Sequence, residues 1–330
     1  MIRLENVTKI YENSVQAVDN ISFTVQEGEI FGLIGTSGCG KTTTLKMINR
    51  LVPPTSGTIL VDGKKIHSVP PEQLRRNIGY VIQDVGLFPH YTIRENVAVV
   101  PRLLNWGEQR IDARVDQLLQ LVGLDAGQFG DRLPEALSGG QQQRVGFARA
   151  LAGDPPVILM DEPFGALDPI TKEEVRAEFK NLLHRIGKTI VLVTHDVAEA
   201  FDMCDRVALM DGGRLRQVGS PRDLLFQPGN DFVSRFFDVN RFELELETVR
   251  MSDLLPFIEA DMPLPEGSAE FTAELSESIA GVMDRNSALN RQDAVIEIRD
   301  GDSPAARLRA DMLLPLFTRA RQSIREENNG

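Results

Sequence analysis

Short apolar runs alternate with amphipathic segments along the first two thirds of the chain. The stretch 21–35 has the pattern of two strands, and the runs at 155–163 and 188–196 are almost continuously apolar. Apolar residues recur at helical spacing over 41–51 and over 172–186. Apolar strands that alternate with helices predict an α/β fold in which a mainly parallel sheet is covered on both faces.

Turn residues and weaker patterns predict the remaining elements. Asp62 and Gly63 suit a tight turn between two strands. The further predicted elements are a hairpin over 57–66, a strand over 77–84, a helix over 108–123, a hairpin over 205–219 and a short helix over 221–228. The composition shifts near residue 242, where the acidic, alternating stretch FELELETV begins. We therefore predict a large domain over 1–240 and a small C-terminal α/β domain over 241–330.

Composition and charge narrow the class of function. The net charge of −12 argues against nucleic-acid binding, which usually needs a basic face. Two cysteines are too few for a disulfide framework or a cysteine metal site. The first residues lack the apolar core of a signal peptide, and no stretch approaches the roughly 18 apolar residues of a membrane span. We therefore expect any membrane role to depend on a partner.

Residues 35–42, GTSGCGKT, form a complete phosphate loop between a predicted strand and a predicted helix. Its glycines let the backbone fold around a phosphate chain, and the helix dipole adds partial positive charge. Lys41 can reach the β- and γ-phosphates, and the Thr42 hydroxyl can ligate Mg²⁺. Cys39 is interpreted as a small filler residue. The loop predicts binding of a nucleoside triphosphate.

Polar residues follow several of the predicted strands. Asp161 and Glu162 come directly after an apolar run, and strand alternation sends their side chains to opposite sides. Asp161 suits Mg²⁺ and Glu162 suits a general base, although two acids can also stabilise a helix N-terminus. His195 and Gln83 end other strands, where ligands bind in open α/β sheets. For these two, a structural role and a role near phosphate, metal or water both remain open.

A second candidate anion site lies at residues 138–141, SGGQ. Ser138 and Gln141 have capping-box spacing, and Gly139 and Gly140 leave the first backbone amides open to an anion. A well-capped helix without a ligand is the alternative interpretation.

The order of these motifs resembles that of the ATP-binding subunit of an ATP-binding cassette (ABC) transporter. The motifs are the phosphate loop, Gln83, LSGGQ (137–141), ILMDE (158–162), ALD (166–168) and His195. The resemblance covers residues 1 to about 240, and LSGGQ is highly specific to this superfamily. Within it, the stretches 37–51, 74–106 and 161–174 are similar to the ATPases of quaternary-amine importers.

The resemblance implies a P-loop NTPase cassette with a mainly parallel sheet core, an N-terminal antiparallel β subdomain and a helical subdomain over about 88–155. It implies ATP and Mg²⁺ as cofactors, with Tyr11 stacked on adenine. The phosphates would be wrapped by Ser37, Gly38, Cys39, Gly40, Lys41, Thr42 and Thr43. Glu162, His195 and Gln83 would be catalytic, and Thr42, Gln83 and Asp161 would hold the metal.

The resemblance also implies partners. Ser138, Gly139, Gly140 and Gln141 would act on the ATP of a second subunit, and Asp168 would lie at the interface of this homodimer. The segment 88–97 would dock a transmembrane permease subunit, and the complete transporter would include a substrate-binding protein or domain. The chain would then be peripheral, at the cytoplasmic face of the plasma membrane, with no nucleic acid bound.

The implied cargo is glycine betaine, choline, carnitine or proline betaine, taken up in osmoprotection. Import of another small polar solute is the alternative. A soluble ABC ATPase of DNA repair or translation fits less well, because the chain shows neither a long coiled-coil insertion nor two cassettes.

The C-terminal segment departs from the pattern of this importer family, which often carries two cystathionine-β-synthase-type (CBS) modules after the cassette. Residues 245–330 leave room for little more than one. A single CBS-like module and a dimerisation or packing domain therefore both remain open.

Overall fold

A computed structural model describes residues 1–12, 14–83, 85–258, 269–289 and 294–327. The chain forms two compact units, Met1–Val218 and Gly219–Gly330. The first unit thus ends before the boundary near 240 that the composition predicts. The reason is local packing, because the helix that begins at Arg241 packs against the helices that begin at Pro221 and Ile279.

The first unit contains both strands and α-helices. Its strands are β1 (Ile2–Ile10), β2 (Gln16–Val25), β3 (Ile30–Gly35), β4 (Ser56–Val61), β5 (Lys64–Lys65), β6 (Ile78–Val81), β7 (Val157–Asp161), β8 (Thr189–Val193), β9 (Arg206–Asp211) and β10 (Arg214–Gly219). Its helices are α1 (Lys41–Ile48), α2 (Pro71–Arg76), α3 (Ile93–Leu103), α4 (Glu108–Leu121), α5 (Ala126–Phe129), α6 (Gly139–Leu151), α7 (Pro169–Ile186) and α8 (Val197–Met203).

The core of this unit is a six-stranded sheet in the order β10-β9-β3-β8-β7-β6. Neighbouring strands pair in parallel across β9, β3, β8, β7 and β6, and β8 is buried along its whole length. This confirms the α/β fold with a mainly parallel sheet. Because parallel strands point the same way, the carboxyl ends of β3, β6, β7 and β8 meet at one edge, where ligands bind in such sheets.

Two smaller layers complete the unit. A four-stranded antiparallel sheet has the order β2-β1-β4-β5, and β4 and β5 form the predicted hairpin around Asp62 and Gly63. Helices α3 to α6 occupy the region predicted as helical. Among the described residues, no helix combines the length and apolar character that crossing a membrane would need.

The second unit combines short helices with a small sheet. Its elements are α9 (Pro221–Phe226), α10 (Asp231–Phe236), α11 (Arg241–Thr248), β11 (Phe271–Glu274), α12 (Ile279–Leu289), β12 (Val295–Asp300), β13 (Ser303–Arg309) and α13 (Leu313–Glu327). In the sheet, β12 pairs in parallel with β11 and antiparallel with β13. The alternating stretch FELELETV lies in and just after helix α11. Its central Glu245 is fully buried, and Arg321 and Arg325 of α13 pair with it at 3.1 and 2.6 Å, which compensates the burial of its charge.

Candidate functional site

The loop between β3 and α1 curls tightly at two glycines. Gly35 has φ 144°, and a Cβ there would lie 1.9 Å from the backbone oxygen of Met210. Gly40 has φ 101°, and a Cβ there would lie 2.3 Å from the backbone oxygen of Ala17. Any other residue type would force the backbone to move, so glycine at both positions preserves the loop.

Lys41 folds back over this loop. Its side chain is buried, and Nζ donates hydrogen bonds to the backbone oxygens of Gly35 (2.9 Å) and Thr36 (3.1 Å). The ammonium group is therefore held inside the loop, where the helix dipole of α1 also favours an anion.

Thr42 joins the loop to the end of β7. Its Oγ1 donates a 2.8 Å hydrogen bond to Oδ1 of Asp161. Burial raises the pKa of the Asp161 carboxyl above its usual range, and the hydrogen bond from Thr42 opposes that shift only in part. A divalent cation would favour the ionised carboxylate. Carboxylate and hydroxyl oxygens are hard ligands, so the donor set fits Mg²⁺.

Glu162 reverses the chain directly after β7. Its φ of 48° lies in the left-handed region, and its N–H donates to the backbone oxygen of Val193 at the end of β8 (2.8 Å). For a residue other than glycine, this backbone conformation costs on the order of 1–3 kcal/mol of stability, and it persists only where the surrounding structure imposes it. The turn directs Asp161 toward Thr42 and Glu162 toward His195, so the neighbouring carboxylates contact different groups, as strand alternation predicts.

His195 and Gln83 both lie near Glu162. Nδ1 of His195 is 3.1 Å from Oε2 of Glu162, although the histidine side chain is 63% exposed. A Cβ built on Gly165 would lie 3.5 Å from Oε2 of Glu162 and 3.6 Å from Nε2 of Gln83. The amide of Gln83 and the carboxylate of Glu162 therefore border the same small space.

A cavity of about 560 Å³ lies at the phosphate loop. Its lining consists of residues 37–43 with Glu162 and His195. Tyr11 lies beside this cavity, with its hydroxyl 3.5 Å from Oγ1 of Thr43, and the residue is 40% exposed. The site thus combines a buried cation, a cradle of backbone amides and a carboxylate beside an imidazole, which suits cleavage of a phosphoanhydride.

The second candidate anion site lies elsewhere. Ser138 caps α6, with Oγ accepting from the N–H of Gln141 (3.3 Å) and the N–H of Ser138 donating to Oε1 of Gln141 (3.0 Å). The predicted capping box is therefore present. Ser138 and Gly139 are exposed, and among the described residues the cavity lining includes none of 138–141. This helix start is thus separate from the cavity at the chain's own phosphate loop.

Asp168 caps another helix. Its side chain accepts from the N–H of Thr171 at the start of α7 (3.1 Å), and the residue is exposed.

An exposed aromatic pair marks the segment 88–97. The rings of Phe88 and Tyr91 lie 5.3 Å apart, and each side chain is nearly half exposed. Beneath them the buried Asn96 accepts from the N–H of Phe88 and donates to three backbone oxygens of residues 88–92. Asn96, which the sequence patterns did not single out, therefore holds the loop in one shape. A groove of about 330 Å³ lies alongside, lined partly by Phe88, Arg75 and Arg149.

The sequence patterns also missed a set of ion pairs between α7 and α8, close to His195. Lys172 pairs with Asp196 (2.6 Å) and with Glu199 (3.5 Å), and Arg176 pairs with Asp202 (3.6 Å). The signal was present as cations four residues apart on one predicted helix, at positions 172, 176 and 180.

Comparisons with known proteins agree with this geometry. A family model described as ABC transporter matches residues 18–165. The glycine betaine/carnitine/choline transport ATP-binding protein OpuCA of Bacillus subtilis is 51% identical over 241 residues, which are 73% of this chain and 63% of that protein. The osmoprotectant import ATP-binding protein OsmV of Salmonella typhimurium is 47% identical over 288 residues, which are 86% of this chain and 74% of that protein.

A solved structure has the same cassette fold. The dimeric post-hydrolysis state of the ATP-binding cassette MJ0796, bound to ADP and Pi, superposes with a TM-score of 0.59 at 36% identity. The match covers 67% of this chain and 98% of that one. The match with OpuCA spans only 63% of the length of that protein. Sequence identity alone therefore does not assign the activity and assembly of the whole OpuCA protein to this chain.

Proposed function

The chain belongs to the ABC transporter family of ATP-binding proteins, and from this membership we propose that it is the ATP-hydrolysing subunit of an importer for quaternary amines. The observation that carries the ATPase assignment is the pair Glu162 and His195, which faces the phosphate loop across one cavity. The cargo assignment rests on the relatives, which are named for transport of glycine betaine, carnitine and choline and for osmoprotectant import. We include proline betaine in the same chemical class.

The phosphate loop binds the nucleotide in this proposal. Lys41 turns from the backbone oxygens of Gly35 and Thr36 toward the β- and γ-phosphates, and the amides of residues 37–43 donate to the phosphate oxygens. Tyr11 lies at the edge of the loop, where its exposed ring can stack on adenine.

Hydrolysis is then general-base catalysis. A carboxylate oxygen of Glu162 takes a proton from the attacking water, while His195 holds the other carboxylate oxygen through its 3.1 Å contact and faces the γ-phosphate. Gln83 orients the water from across the space beside Gly165. Thr42 and Asp161, with Gln83, would hold Mg²⁺, which offsets phosphate charge when bound.

The functional unit in this proposal is a homodimer. The helix start at residues Ser138, Gly139, Gly140 and Gln141 lies outside the lining of the chain's own cavity, and Ser138 and Gly139 are exposed, so this helix start can serve the ATP of a partner copy. Asp168, exposed at the start of α7, lies at the interface. The dimeric state of the related MJ0796 cassette supports this arrangement.

The membrane partners dock on the segment 88–97. Its exposed aromatic pair is held rigidly by Asn96, and an apolar surface of fixed shape suits a partner helix. We propose that permease subunits bind here and hold the chain at the cytoplasmic face of the plasma membrane. A substrate-binding protein or domain completes the transporter. The second unit is proposed as an accessory domain, either a single CBS-like module or a dimerisation domain.

Uptake by the reconstituted transporter tests the function. Vesicles containing this chain with its permease partners should take up labelled glycine betaine, choline, carnitine or proline betaine only when ATP is supplied on the subunit's side. Vesicles with Lys41→Ala should not. ATP-dependent uptake of an unrelated polar solute, with none of the four amines competing, would reject the cargo assignment while leaving the ATPase assignment intact.

A further inference from the structure

Helices α7 and α8 are joined by a ladder of opposite charges. Lys172, Arg176 and Lys180 recur every four residues and lie on one face of α7. The facing acids are Asp196, which caps α8, with Glu199 and Asp202. The two ends of this ladder have different neighbours. Lys172 pairs with Asp196, which directly follows His195 in the sequence, whereas Lys180 pairs with Asp202, farther along α8.

The Lys172 end of the ladder is closely fixed. Nζ of Lys172 donates a 2.6 Å hydrogen bond to Oδ2 of Asp196, and the lysine side chain is only 18% exposed. Oδ1 of Asp196 accepts from the N–H of Glu199 (3.2 Å), and the N–H of Asp196 donates to Oγ1 of Thr194 (3.0 Å). Asp196 is therefore held at three points, one of which is a charge-assisted bond to another helix.

The position of His195 depends on these neighbours. Its side chain is mostly exposed, so packing does little to fix it, and its contact with Glu162 is a single 3.1 Å approach. Thr194, which precedes His195, is buried, and its N–H donates to the backbone oxygen of Leu33 in β3 (3.3 Å). Asp196, which follows His195, is restrained by the bond from Lys172.

We propose that Lys172 is a positioning residue, which through Asp196 fixes the backbone that aims His195 at Glu162. This rests on the proposed function, in which Glu162 and His195 act on ATP. The N–H of Lys172 also donates to the backbone oxygen of Asp168 (2.8 Å), one helical turn earlier. A displacement of Asp168 at the proposed subunit interface therefore reaches His195 through one helical turn and one ion pair.

Steady-state kinetics on matched variants tests the proposal. Lys172→Met keeps an unbranched side chain that is one heavy atom shorter and removes its charge, and Lys180→Met makes the same change at the end of the ladder remote from His195. We expect Lys172→Met to lower kcat about 10- to 100-fold with an unchanged KM for ATP, the size expected when a reacting group is misplaced. Lys180→Met should keep kcat, and Lys172→Arg should restore it. Melting temperatures of the two methionine variants control for folding.

The position of His195 can also be followed directly. The chain has four histidines, so the imidazole signal of His195 can be identified by its loss in His195→Ala. That NMR signal should shift in Lys172→Met, stay in place in Lys180→Met and return in Lys172→Arg. An unmoved signal, or an equal loss of kcat in both methionine variants, would overturn the proposal. If the wild type hydrolysed no ATP, the proposed function would fail, whereas the NMR comparison would still decide whether Lys172 positions His195.

Discussion

The chemistry of the site depends on a few side chains whose orientation the backbone imposes. Glu162 adopts a left-handed conformation that is unfavourable for a residue with a side chain, and the hydrogen bond from its N–H to Val193 maintains it. The consequence is that Asp161 and Glu162, adjacent in sequence, serve different neighbours. Asp161 meets Thr42, whereas Glu162 meets His195.

Replacement of Glu162 by glutamine tests its assignment as general base. The amide keeps the size of the side chain but cannot accept the proton, so hydrolysis should fall by about 10²–10⁴-fold. ATP binding should persist, since Lys41 and the loop amides remain, and a stable ATP-bound dimer should accumulate. Phosphate release and size-exclusion chromatography with ATP measure the two effects. The exposed Glu173→Gln is the matched control, and turnover near the wild-type rate in Glu162→Gln would remove the assignment.

Glu199 should make stability depend on pH. Burial raises its pKa from the ordinary 4.5 to about 7, despite the nearby Lys172. The unfolded chain therefore ionises at lower pH than the folded one, and the contribution of Glu199 to stability declines as pH rises from about 4.5 to about 7. Each pKa unit corresponds to about 1.4 kcal/mol, so the full decline is on the order of 3 kcal/mol.

The Glu199→Gln variant isolates this contribution. The other charged groups around the site, Lys172 and Arg176 on α7 and Asp196 and Asp202 on α8, are present in both proteins together with the Cys204 thiol. Relative to the wild type, the variant should gain free energy of unfolding between pH 5 and pH 8, as measured by urea denaturation. A difference that stays constant across this range would show that Glu199 does not titrate there.

At the scale of elements, local patterns predicted the strands and turns of the cassette well. The apolar runs form β7 and β8, and Asp62 and Gly63 form the turn of the expected hairpin. These elements could be predicted because strand burial and turn geometry depend on residues that are close in the sequence. The ladder between α7 and α8 could not be predicted, since it depends on how two helices are placed side by side. The pairing of Glu245, within FELELETV, with arginines about 80 residues later likewise could not be predicted from local patterns.

The start of α6 allows the anion-binding interpretation to be separated from simple helix capping. A Cβ on Gly139 would meet only Leu167 Cδ2 within 4 Å, at an ordinary 3.6 Å, so Gly139→Ala should leave stability unchanged or raise it by up to about 1 kcal/mol. Turnover should nevertheless fall about tenfold or more, because the added methyl group would keep a phosphate from approaching the backbone amides, and a hydrogen bond to a charged group contributes about 1.5–3 kcal/mol.

Thermal unfolding and ATPase rates of the same preparations measure both effects. Gly107→Ala is the matched control, because Gly107 also flanks a helix start and a Cβ there meets no atom within 4 Å. Full turnover in Gly139→Ala would favour the capped helix without a ligand.

At the scale of the whole molecule, the chain holds two candidate anion-binding elements that do not line the same cavity. The cavity at the phosphate loop is lined by residues 37–43, Glu162 and His195, and the exposed helix start at Ser138 lies outside that lining. An isologous dimer resolves this separation, because each loop can then face the partner's helix start, and the contact occurs twice. The proposal therefore requires that each active site contain residues from two copies.

Mixing two inactive variants tests this requirement. Lys41→Ala disables the phosphate loop of its own chain, and Ser138→Ala disables the helix start, so each homodimer should be nearly inactive. In a mixed dimer whose sites are shared between chains, one site carries both defects and the other carries none. Since half of the dimers in an equal mixture are mixed, ATPase activity should recover to at most about a quarter of the wild-type rate. If Ser138 served the ATP of its own chain, every site would carry one defect, and the mixture would be as inactive as its components.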